Sequence, residues 1–152
     1  PQDDFFCNNA NSAIERNIWE KYKFDENLTG LEDLHLAKRY FNDGGKISYV
    51  SDAEVFHIHN EKWKQTRNRY EREALALQEI MPEVQVSFID TVRYLLAAVL
   101  GDFSKAISKG KFRKEFFNIL SFRIAQYWGT YRGNHELRLL SKEKKDSYFY
   151  PN

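Results

Sequence analysis

The run "VSFIDTVRYLLAAVL" at residues 86–100 constrains the fold more than any other feature, because this much apolar side chain must be covered by something. A helix that crosses a bilayer needs about 20 consecutive apolar residues. This run is shorter and carries Asp90 and Arg93. It is therefore predicted to be an amphipathic helix, ending at a break at Gly101-Asp102. The segment "GKFRKEFFNILSFRIAQYWGTYRGN" continues in the same manner, so the C-terminal half is expected to hold two or three helices.

Charge divides the chain at about the same place. Residues 1–104 hold 12 Lys/Arg against 18 Asp/Glu, and residues 105–152 hold 11 against 4, although the whole chain carries only +1. Phe112, Phe116, Ile119, Leu120, Tyr127 and Trp128 are read as the core of a helical subdomain. Flanked by Lys105, Lys109, Lys111, Arg113, Lys114 and Arg123, the same segment also suits a membrane surface or a second copy of the chain. Nothing in it resembles an RNA- or DNA-binding module, so no nucleic-acid partner is expected.

Upstream, Asn11 or Ser12 can cap a helix over about 12–22 with Ile14, Ile18 and Trp19 on one face. A second helix, about 32–42, carries the stripe Leu34, Ala37, Tyr40 and Phe41 and stops at "NDGG". Two short β-type runs follow, "KISYV" and "AEVFHIH", joined by "SDA". A third helix, about 60–80, presents Trp63, Tyr70, Leu77 and Ile80 and ends at Met81-Pro82. The single cysteine, Cys7, excludes an intrachain disulfide, fits a reducing compartment, and is read as a small residue near a buried strand. No start methionine or signal-peptide pattern occurs at "PQDDFFCNNANS", which reads as a piece cut from something longer.

Glu32 and Asp33 open the second helix. Helix electrostatics alone favours acids there, by about 0.3–1 kcal/mol. A general base needs the same mount, a carboxylate at a cleft within reach of a hydroxyl. Two histidines, His57 and His59, have the alternating spacing that puts both rings on one face of a strand, which suits either a metal or a polar strand end.

The order of these pieces carries a resemblance. Asn9, Ala10, Ala13, Ile14 and Arg16, then Trp19, then Phe24-Asp25-Glu26, then Gly30, Glu32 and Asp33, then Gly45, Ile47 and Tyr49, then Val55 and His57, resemble the C-terminal part of the catalytic domain of family 2 inverting glycosyltransferases, which have the GT-A fold. The resemblance covers about residues 5–75. It implies an α/β fragment over 1–82, the acceptor side of a nucleotide-diphospho-sugar transferase, followed by a mainly α-helical extension over 83–152.

The resemblance further implies transfer of a sugar from a nucleotide sugar to a hydroxyl of a glycan or lipid-linked acceptor, with inversion, in cell-envelope or capsular polysaccharide synthesis. Asp33 would be the base and Glu32 its support. Asn9, Asn11, Arg16 and Gly30 would bind substrate. His57, with His59, would hold a divalent cation, Mn2+ or Mg2+, most of whose ligands lie outside this chain. The family's Asp-x-Asp is absent from the 152 residues, and "QTRNRY" only distantly echoes the Q-x-x-R-W of processive synthases. The chain is thus expected to hold half of a site and to be inactive alone, cytoplasmic and peripheral at the inner face of the cell membrane. Two other classes stay open: a non-catalytic helical tether to a membrane or partner, and a metal-dependent hydrolase built on His57 and His59.

Overall fold

The computed structural model describes residues 2–57 and 61–135. The chain divides into two compact units, Pro1–Asn60 and Glu61–Asn152. Among the described residues, a short 3-10 turn, Asn9–Asn11, precedes five helices: α1 (Arg16–Tyr22), α2 (Glu32–Asn42), α3 (Trp63–Ile80), α4 (Phe88–Ser108) and α5 (Phe112–His135).

No strand occurs among the described residues, which overturns the expected α/β fragment of GT-A type. The reason lies in what a strand requires. Alternating β-branched and aromatic residues form one only where a neighbouring strand takes their N–H and C=O groups. The runs at 46–50 and 53–57 are irregular and form no ladder. Among the described residues, their main-chain bonds are Gln2 N–H to the Ile47 carbonyl at 2.8 Å and, across the turn between them, Ala53 N–H to the Val50 carbonyl at 3.1 Å. Tyr49, Val50, Val55 and Phe56 are accordingly exposed, Phe56 completely.

In the first unit, α1 starts later than the sequence suggests: Glu15 stands at its N-cap with no side-chain cap bond, and the two expected caps donate elsewhere. Asn11 Nδ2 donates to the Ala53 carbonyl at 2.7 Å and Ser12 Oγ to Asn9 Oδ1 at 2.7 Å. The helix packs on α2 through Tyr22, which is buried. Its ring meets Tyr40 edge-on at 5.7 Å, its carbonyl accepts from Arg39 Nη1 at 2.9 Å, and its hydroxyl donates to Asp43 Oδ2 at 2.6 Å. Leu36 and Ala37 are the buried residues of α2. The helix stops where Gly44 turns to φ +85°, with Gly44 N–H on the Phe41 carbonyl and Gly45 N–H on the Tyr40 carbonyl. Those paired bonds satisfy carbonyls that a helix end otherwise leaves open.

In the second unit, α3 and α5 lie against each other so closely that only glycine fits. A Cβ on Gly129 would run into the Arg67 carbonyl oxygen, and one on Gly133 into that of Glu71. This contact, absent from any apolar stripe, explains why α3 buries Thr66, Glu71, Ala74, Leu75, Ala76, Gln78 and Ile80 while Trp63 stays exposed. The buried Glu71 carboxylate faces Arg132 Nη2 at 3.4 Å. Asn134 and Gln78 fasten the connection after α3: Val86 N–H donates to Asn134 Oδ1 at 2.9 Å, and Gln78 Nε2 donates to the Val84 carbonyl at 2.6 Å.

Ser87 and Asp90 form a reciprocal cap at the start of α4. The helix runs straight through the expected break at Gly101-Asp102, because Asp102 is held by Arg123 of α5 at 2.7 Å. Phe103, Phe112 and Phe116 close the α4–α5 hairpin, with ring centroids 5.1–5.5 Å apart.

Candidate functional site

Leu31, at φ +56°, turns the chain sharply into α2 and so presents the next two residues, Glu32 and Asp33, at the mouth of the helix. A non-glycine residue in this region is uncommon, and the preceding Leu28 and Thr29 hold it in place by being buried themselves.

The Asp33 carboxylate then reaches back across the sequence. Its Oδ2 accepts the Asn9 backbone N–H at 2.7 Å, and its Oδ1 accepts the Leu34 N–H at 2.7 Å. The Asn8 side chain takes the Ala10 N–H at 2.9 Å, which fixes the 3-10 turn that aims Asn9. An ionised carboxylate offers about four acceptor positions. With two of them used by the backbone, the Asp33 oxygens are oriented and still able to receive a hydroxyl proton.

Asn9 also lines a cleft of about 430 Å³, together with Ser12, Ile14, Arg16, Trp19 and Phe24. Three polar side chains and three apolar ones, two of them aromatic, make this surface amphipathic. Arg16 is steadied by Glu20 at 2.7 Å, and Lys23 Nζ sits 3.7 Å from the Trp19 ring centroid.

The residues singled out from sequence thus fall into groups. Asn9 and Asp33 are joined by a hydrogen bond, and Asn9 and Arg16 share the cleft. Gly30 and Glu32, both half-buried, flank the turn into α2. Asn11 is committed to Ala53. His57 is exposed in the irregular segment, and His59 lies outside the described residues. No group of three or more His, Cys, Asp or Glu side chains able to hold an ion occurs among the described residues. His57 alone does not make the three or more protein ligands that a held cation usually takes.

Cys7 was read from sequence as a packing residue, yet it belongs to this neighbourhood. Burial first, and then the negative charge of Asp33, push its thiol pKa up. The sequence signal was available only as the closeness of Cys7 to Asn9. Trp19 and Phe24 were likewise read as a helix face and a motif residue, and both line the cleft.

No family model, curated protein or solved structure matches the chain.

Proposed function

We propose that the first unit is the acceptor-binding part of an inverting glycosyltransferase that moves a sugar from a nucleotide sugar to a hydroxyl acceptor. The observation that supports this reading is the 2.7 Å bond from Asn9 N–H to Asp33 Oδ2, which ties a carboxylate to the rim of an amphipathic cleft 24 residues away in sequence. In the proposal Asp33 takes the proton as the acceptor oxygen attacks the anomeric carbon. Glu32 helps to orient the acceptor, and Asn9, Arg16, Trp19 and Phe24 hold its ring. The leaving nucleoside diphosphate carries away the bonding pair. His57 would supply one ligand toward a divalent cation, whose positive charge would stabilise the departing diphosphate.

The test is turnover of nucleotide sugar by the complete gene product, read as release of nucleoside diphosphate in the presence of acceptor. Asp33→Asn keeps the size of the side chain and one acceptor oxygen, enough for the Asn9 N–H but not for the Leu34 N–H as well, and a positioned base contributes about 10²–10⁴-fold. The expected result is a loss of that size with nucleotide binding unchanged. Wild-type turnover by the variant would remove Asp33 from the mechanism.

A further inference from the structure

α4 carries two apolar faces, and only one is covered. Thr91, Val99 and Ala106 are buried, and Asp102 is tied to Arg123 of α5, so this face belongs to the hairpin. Ile89, Val92, Leu96, Leu100 and Ile107 follow at intervals of three, four, four and seven residues, which puts them on one line along the helix. All five are exposed, Ile89 by 78% and Leu100 by 66%. The line is about 27 Å long at 1.5 Å per residue. Isolated exposed apolar residues mean little, whereas a continuous row of this length marks a contact surface.

Charge selects the partner. Residues 103–114, at the turn between α4 and α5, hold Lys105, Lys109, Lys111, Arg113 and Lys114 and no acid. All five are exposed, and none has an ion-pair partner among the described residues. Ile107 and the 76% exposed Phe117 stand among them. No described helix is long and apolar enough to cross a membrane. A row of Ile, Val and Leu beside a cluster of unpaired lysines is the pattern of a helix that lies in a lipid–water interface, apolar side in the acyl boundary and cations on the headgroups.

We infer that α4 and the α4–α5 turn form a docking surface for a bilayer rich in anionic lipid. This inference does not rest on sugar transfer. A second copy of the chain is the other occupant an apolar row could take. Side-by-side pairing in the same direction would set five cations against five, whereas anionic headgroups neutralise them.

The test is co-sedimentation of the whole chain with phosphatidylcholine vesicles, pure or mixed with phosphatidylglycerol. Binding is expected only with the mixed vesicles and should weaken as salt rises. Lys109→Gln with Lys111→Gln should weaken it roughly fivefold per lysine. Leu96→Ser with Leu100→Ser should abolish it while leaving the circular dichroism spectrum unchanged, because both side chains already face solvent. Three results would overturn the inference: no binding to the mixed vesicles, equal binding to both kinds, or a dimer in light scattering that the Leu96/Leu100 variant dissociates without any loss of lipid binding.

Discussion

Asp33 illustrates how a single carboxylate can serve structure and offer chemistry at once. Its two oxygens take backbone N–H groups of Asn9 and Leu34, so the side chain staples the 3-10 turn to the start of α2. The same charge reaches Cys7, whose pKa is raised mainly by burial and then by Asp33. The sign of that effect is testable. Asp33→Asn removes a negative charge that holds the thiol pKa up, so more thiolate is present at any pH below it, and the thiolate is what reacts. Alkylation of Cys7 by iodoacetamide at mildly alkaline pH should become faster in the variant, yet remain slower than in the unfolded chain, because burial, the larger cause, persists. An unchanged rate would mean that Asp33 does not act on Cys7. The adjacency of Glu32 and Asp33 was legible in the sequence. The bond to Asn9 was not, because it depends on the left-handed turn at Leu31, and leucine gives no sign of such a turn.

At the level of elements, the helices were legible where the chain's own punctuation sets them. "NDGG" stops α2 and Met81-Pro82 stops α3, as read, whereas the cap of Ser87 with Asp90 that starts α4 was not read. What periodicity missed was packing by small residues. Glycine lowers helix propensity, yet Gly129 and Gly133 are the places where the backbones of α3 and α5 meet. The consequence is a sharp asymmetry between similar substitutions. Gly→Ala normally favours an exposed helix by up to about 1 kcal/mol. At Gly129 the new methyl would press on the Arg67 carbonyl oxygen, and overpacking of this kind costs about 1–3 kcal/mol. Gly129→Ala should therefore lower stability in urea denaturation, whereas Gly101→Ala, which meets nothing within 4 Å, should raise it slightly or leave it unchanged. Equal effects at the two sites would contradict the close approach of α3 and α5. No break occurs at Gly101, because one interior glycine costs a helix only about 1 kcal/mol and the Asp102–Arg123 pair ties this stretch to α5.

On the scale of the whole chain, composition foretold an aromatic, basic C-terminal half and periodicity its helices, while the two expected β-type runs form no strand among the described residues. β propensity describes how a side chain fits a pleated surface, and it cannot supply the partner strand. Residues 46–57 therefore keep the residue types of strands with none of their pairing, and their aromatic side chains are left in solvent. Proteases distinguish this from helix. Cleavage needs several residues of backbone drawn out of hydrogen bonding, which an irregular segment supplies freely and a helix only on local unfolding. Tyr49 and Phe56 are exposed by 79% and 100% in irregular chain, whereas Tyr94 and Phe117, exposed by 53% and 76%, sit inside α4 and α5. Brief chymotrypsin treatment should cut after Tyr49 and Phe56 well before Tyr94 or Phe117, and mass spectrometry of the early fragments identifies the sites. The fragments beginning at Val50 or His57 should resist further cutting across α3, α4 and α5, since the bonds that hold those helices lie within residues 61–135. Cutting after Tyr94 or Phe117 as early as after Tyr49 would mean that α4 and α5 open as easily as the irregular segment, and the covered face of α4 would then have no standing.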